Sequence, residues 1–82
     1  MRELPFCVYI LKCNNGKFYT GCSRNLNERL KAHQSGEVHF TKDKLPVKLV
    51  HISKFNNSLT AYNFERYLKT GSGAAFRNKH LI

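Results

Sequence analysis

The sequence predicts an α+β fold, a small three-stranded antiparallel sheet flanked by helices in the order ββαβα(α). Three observations lead there. Two runs rich in strand formers, FCVYILKC and KFYTGC, are separated by Asn-Asn-Gly. Two segments with helical periodicity, NLNERLKAHQS and LTAYNFERYLK, each have a capping residue at or just before their start. A third β-rich run, PVKLVHISKF, lies between them.

The first two runs form a hairpin. A two-residue turn at Asn15-Gly16 would pair Tyr9 with Cys22 and set Tyr9 and Tyr19 on opposite faces. A three-residue loop, Asn14-Asn15-Gly16, instead pairs Leu11 with Tyr19 and Tyr9 with Gly21, so both tyrosines share one face. That loop wants a left-handed residue last, and Gly16 stands there, so the three-residue loop is expected.

Asn25 caps the first helix, with Glu28 placed to close a capping box. The helix stops at Gly36. Leu26, Leu30 and His33 form one stripe, and Arg29 and His33 sit one turn apart. A loop from Glu37 to Leu45 carries Thr41 and Lys42 before the third strand. Asn57 or Ser58 opens the second helix, which is expected to end at Gly71, and AAFRNKHL reads as a short third helix.

Eighty-two residues make one domain, residues 1–82, with a small core. The net charge of +9, from 14 Lys and Arg against 5 Asp and Glu, favours a polyanionic partner, nucleic acid before an anionic membrane. The longest apolar run, FCVYIL, is six residues, far short of a membrane span. Ribosomal and chaperone-like proteins are equally basic, so charge alone does not imply catalysis. MRELPFCVY shows no signal peptide or anchor signal. Cys7, Cys13 and Cys22 are an odd number in such a chain, which suggests free thiols and a cytoplasmic protein. Their spacing lacks the close pair of a structural zinc site, even with His33 or His39 added.

Glu65 stands out among the polar residues. Ala61, Glu65 and Leu68 fall on one helical stripe, which puts a carboxylate in or beside apolar surface. Such a group needs a cation. Lys69, one turn on, offers an ordinary ion pair; in a chain with so few acids, Glu65 is also a candidate ligand for a hard divalent ion. Arg29 is either a solvated helix arginine or a bidentate grip on a phosphate. His33 is either a packing residue or a donor to a phosphate or leaving oxygen. Tyr9 and Tyr19 would each pass as strand aromatics, but two on one face beside Gly21, which leaves open space, suggest a site. Tyr62, Tyr67, His39 and His51 have no comparable support and read as core or surface residues.

Taken together, Val8-Tyr9-Ile10, Tyr19-Thr20-Gly21, NLNERLKAH and FERYLK resemble a GIY-YIG nuclease domain, from about Phe6 to Leu81. The likeness is to small stand-alone bacterial members related to the nuclease domain of the excision-repair excinuclease. The combination is specific: Tyr, ten residues to Tyr, ten to Arg, four to His, then Glu on a late helix. Cys7 replaces the first motif's glycine, and Thr20 holds the middle of the second. The resemblance implies Tyr9, Tyr19, Arg29 and His33 as catalytic residues and Glu65 as the ligand of one Mg²⁺ or Mn²⁺ ion. It also implies Asn78 as a phosphate contact, and Lys42 is a further candidate for substrate binding. The implied function is metal-dependent DNA endonuclease activity in repair or processing, with DNA as partner. On that reading a tyrosine, Tyr9 with Tyr19 hydrogen-bonded nearby, takes a proton from the attacking water. A phenol near pKa ~10 is a poor base, so the metal and Arg29 are expected to lower it. The alternatives are a nucleic-acid-binding module without catalysis and a member of a larger repair complex. A carboxylate among cations repels phosphate, and a module that only binds has no need of one.

Overall fold

The computed structural model describes residues 5–82; the first four residues of the stretch read for a targeting signal lie outside it. The elements are strands β1 (Phe6–Lys12) and β2 (Phe18–Ser23), helix α1 (Leu26–Gln34), strand β3 (Lys48–Phe55), and helices α2 (Ser58–Leu68) and α3 (Gly71–His80). The three strands make one antiparallel sheet in the order β2-β1-β3. The expected α+β architecture is therefore the observed one. None of the described helices is long and apolar enough to cross a membrane.

β1 is the central strand, and Cys7 to Leu11 are all buried. A strand covered on both faces reads as a continuous apolar run, which is what FCVYIL is. On one face Cys7, Tyr9, Leu11, Cys13 and Val47 pack with Tyr19 and with Leu26 and Leu30 of α1. On the other, Val8 and Ile10 pack with Ala61 and Leu68 of α2 and with Phe18, Phe55 and Phe64. The sheet thus carries α1 and the loop after it on one side, and α2 on the other.

The hairpin has the three-residue loop. Cys13 N–H donates to the Lys17 carbonyl at 2.8 Å, Gly16 N–H to the Cys13 carbonyl at 2.9 Å, and Gly16 has φ +83°. The register follows, with Tyr9 opposite Gly21 and Leu11 opposite Tyr19. β1 and β3 change register between Ile10 and Leu11, which leaves Val50 as an extra residue on the β3 side.

Asn25 caps α1 by accepting from Glu28 N–H at 3.2 Å, while its own N–H goes to Ser23 Oγ at 3.0 Å, the role a capping box would give to Glu28. The C-terminus closes as a Schellman turn: Gly36, φ +81°, donates to the His33 carbonyl and Glu37 to that of Ala32. Asn57 opens α2, accepting from Leu59 and Thr60 N–H. The expected end of α2 at Gly71 is corrected: α2 ends at Leu68 and Gly71 begins α3. Thr70 is the reason. Its hydroxyl donates to the Tyr67 carbonyl at 2.6 Å and accepts from Gly73 N–H at 3.0 Å, closing one helix and opening the next. A side chain at Gly73 would strike the Tyr67 carbonyl, so this glycine gives room for a tight helix junction.

Candidate active site

Tyr9 is fully buried on the central strand, and its ring lies across β2 at Gly21. A Cβ on Gly21 would collide with Cζ and Oη of Tyr9. The space that Gly21 leaves is therefore not an open cavity, as expected, but the seat of the Tyr9 phenol. Tyr19, half-buried on the same face, has its ring centroid 6.2 Å from that of Tyr9 and 4.9 Å from that of His33.

The hydroxyl of Tyr9 makes its hydrogen bonds to residues of α1. Arg29 Nε donates to Tyr9 Oη at 3.4 Å, and Oη lies 3.0 Å from His33 Nε2. One helical turn between Arg29 and His33 brings both to the same atom. His33 is itself fully buried, and its Nδ1 lies 2.8 Å from Thr41 Oγ1, also fully buried. With Arg29 already donating to Oη, the consistent tautomer has Nδ1–H donating to Thr41 and a bare Nε2 accepting from Tyr9. A chain of donation thus runs Arg29, Tyr9, His33, Thr41.

Thr41 completes this chain, a role that its place in the loop did not reveal. Its position depends on the loop from 37 to 47, which Asn14 ties to the hairpin turn. Asn14 N–H donates to the Lys44 carbonyl at 2.9 Å and Asn14 Nδ2 to that of Leu45 at 2.6 Å. The only local signal was a small hydroxyl residue in a loop.

Electrostatics set the protonation states. Burial pushes the Tyr9 phenol up to about 12, more than the Arg29 hydrogen bond draws it down. Arg29 acts in the expected direction, but enclosure of the ring outweighs it. Burial, and then the charge of Arg29, pushes His33 below its ordinary value, so it is neutral at neutral pH. His33 is buried with both ring nitrogens engaged, so it faces Tyr9 and Thr41 rather than solvent.

Glu65 lies on the other side of the sheet. Cys22, a neighbour of Gly21 that faces the α2 side, has its thiol raised by burial and then by the Glu65 carboxylate. β2 is an edge strand, so the Tyr9 cluster and Glu65 flank that edge from opposite faces. The Glu65 side chain is 13% exposed and pairs with Lys69 at 3.4 Å, the ordinary ion pair foreseen for it. It also lines a cavity of about 590 Å³ with Phe6, Cys22, Ser58, Leu59 and Tyr62. Among the described residues no three His, Cys, Asp or Glu side chains gather to hold a metal. A single carboxylate lining a cavity fits the habit of Mg²⁺, which takes one or two carboxylates and fills its shell with water and phosphate.

The remaining candidates are not drawn into the cluster. Lys42 is exposed, its backbone N–H bonded to Val38. Asn78 is exposed and accepts from Arg77 Nε at 3.1 Å. Its neighbour Arg77 instead lines a cavity of about 400 Å³ together with Tyr19, Phe40 and Lys69.

Comparison with known proteins agrees with this architecture. The model of the GIY-YIG catalytic domain matches residues 5–79. A UPF0213 protein of Clostridium perfringens is 44% identical over 63 residues, 76% of this chain and 68% of that protein. One of Streptococcus agalactiae is 34% identical over 70 residues, 84% of this chain and 80% of that protein. The solution NMR structure of a UPF0213 protein from Bacillus halodurans superposes with a TM-score of 0.59 at 28% identity, covering 90% of this chain and 82% of that one. The chain belongs to the GIY-YIG catalytic domain family.

Proposed function

We propose that this chain acts as one domain in the cytoplasm, a metal-dependent DNA endonuclease that hydrolyses phosphodiesters in repair or processing. The observation that carries the reading is the buried chain Arg29–Tyr9–His33–Thr41 beside Tyr19, in a member of this family. Burying His33 and Thr41 costs free energy that apolar side chains of similar size would not, and their hydrogen bonds offset it.

Arg29 is the phosphate ligand. Its bond to Tyr9 is at the long limit for a hydrogen bond, so turning the half-buried guanidinium toward a phosphate costs little and uncovers Tyr9 Oη. Tyr9 then takes a proton from the attacking water while passing its own to His33 Nε2. The two transfers together avoid a free phenolate, which a phenol raised to about 12 would not supply at neutral pH. Thr41 engages the other ring nitrogen and so holds the His33 imidazole in orientation. Tyr19 packs the Tyr9 and His33 rings in place. Glu65 would hold a Mg²⁺ or Mn²⁺ ion, whose chemistry when bound is to polarise the phosphate and steady the leaving oxygen.

The test is purified protein with Mg²⁺ or Mn²⁺ against linear, nicked, flapped and branched DNA, beside Glu65→Gln. Cleavage by the wild type and none by the variant, with DNA binding kept or strengthened, supports the reading. Tight binding with no cleavage of any substrate would instead favour a module that only binds.

A further inference from the structure

The cavity beside Tyr19 has an origin separate from the Tyr9 network. Phe18, Tyr19 and Thr20 of the edge strand form one wall, and Phe40 of the loop another. Lys69 from the end of α2 and Arg77 from α3 supply two cations to the same space. Among the described residues no acidic side chain lines it. Phe40 is 53% exposed, an unusual cost for a large aromatic, yet its position is fixed. Its ring meets that of Tyr19 at 5.3 Å, and Lys44 Nζ sits 4.6 Å above it while donating to the Phe40 carbonyl.

The two cations are poised differently. Arg77 lies over the Phe18 ring at 4.8 Å, with Nε bonded to Asn78, so its remaining donors are the terminal NH₂ groups. Lys69 is 55% exposed and holds the mostly buried Glu65 at 3.4 Å, a long i,i+4 contact whose lysine end is solvated and can turn to another anion once a different cation serves Glu65. Two cations and a held aromatic suit one occupant, an anion carrying a flat or ring-shaped group.

We propose that this cavity seats a second nucleotide of the bound DNA strand, next to the one attacked. Its phosphate lies between Lys69 and Arg77, and its sugar or base rests against Phe40. The inference rests on the nuclease reading for its partner. It adds that Lys69 is shared. Glu65 holds Lys69 away from DNA, and whatever neutralises Glu65 releases Lys69 to the phosphate. Cation binding at Glu65 and DNA binding at the second seat are therefore mutually favourable.

The experiment measures equilibrium binding of a short DNA oligonucleotide to the full chain without divalent metal, over a range of salt. Lys69→Met and Arg77→Met are compared with Lys48→Met, an exposed lysine on β3 that removes the same charge. Removing a charge-assisted bond to a phosphate is expected to weaken binding roughly tenfold. The slope of log affinity against log salt should become shallower by about 0.9 for each phosphate no longer neutralised. Glu65→Gln should tighten binding, and adding Lys69→Met to it should abolish that gain. Phe40→Ala should weaken binding without changing the slope. If Lys69→Met and Arg77→Met behave like Lys48→Met, or if Glu65→Gln tightens binding equally without Lys69, the seat is wrong. None of these readouts requires cleavage. An active wild type whose variants bind like the control overturns the seat alone, whereas an inactive wild type with the expected binding pattern overturns the nuclease reading and leaves the seat standing.

Discussion

Removing one oxygen from Tyr9 separates chemistry from packing. Tyr9→Phe keeps the ring that fills the Gly21 seat, so no cavity forms and no side chain must move. The loss falls on His33. Its Nε2 is buried, 3.0 Å from the missing hydroxyl, and would be left without a partner. Stranding a buried polar atom costs about 1–3 kcal/mol. Arg29 adds little, since it is half-buried and can turn to water. The sequence alone makes Tyr9→Phe look nearly neutral for stability; the structure makes it destabilising. At ~4–8 °C per kcal/mol for a small domain, the melting temperature should fall by roughly 4–24 °C. Urea unfolding measures the cost directly, and a cycle with Thr41→Val tests whether the two hydroxyls act through the one imidazole. Coupling of ~0.5 kcal/mol or more is expected of a shared network. Cleavage should collapse while DNA affinity holds. A variant as stable as wild type, additive with Thr41→Val and fully active would refute the chain from Arg29 to Thr41.

Gly21→Ala should cost about 1–3 kcal/mol by overpacking against Tyr9 and should also reduce cleavage, because the phenol is driven from His33; urea melts and rates check both. His33 is neutral in the fold with its pKa lowered, so the stability it contributes is full above about pH 6.5 and is lost as the pH falls through the lowered value. Unfolding measured at falling pH should show this loss in the wild type and not in His33→Phe. Cleavage should follow the same limb, rising as His33 loses its proton and flat through neutral pH, not climbing toward the Tyr9 value of about 12. Arg29→Ala should slow cleavage at every pH and weaken productive DNA binding, visible in single-turnover rates at varied enzyme concentration.

The sequence by itself determined what local chemistry controls. Gly16 at the end of a three-residue loop fixed the hairpin register, and the register put Tyr9, Tyr19 and Gly21 on one face. Asn25 and Gly36 fixed the ends of α1, and the helical repeat placed Arg29 and His33 together. Near Gly71 the local signal misled, because a glycine that ends a helix and one that lets two helices meet look alike until Thr70 and Tyr67 are in place. Only the tertiary structure decided the rest. Strand order set β2 at the edge, and the packing of α2 against Val8 and Ile10 put Glu65 across the sheet from Tyr9. The return of the loop after α1, held by Asn14 of the hairpin turn, brought Thr41 to His33, and the packing of α3 brought Arg77 rather than Asn78 to the Tyr19 cavity. Burial of the ring outweighed the lowering of the phenol by Arg29. Turns, caps and periodicity act over a few residues and can be read along the chain. Solvent exclusion and the meeting of distant side chains depend on how all the elements pack, and no short stretch contains them.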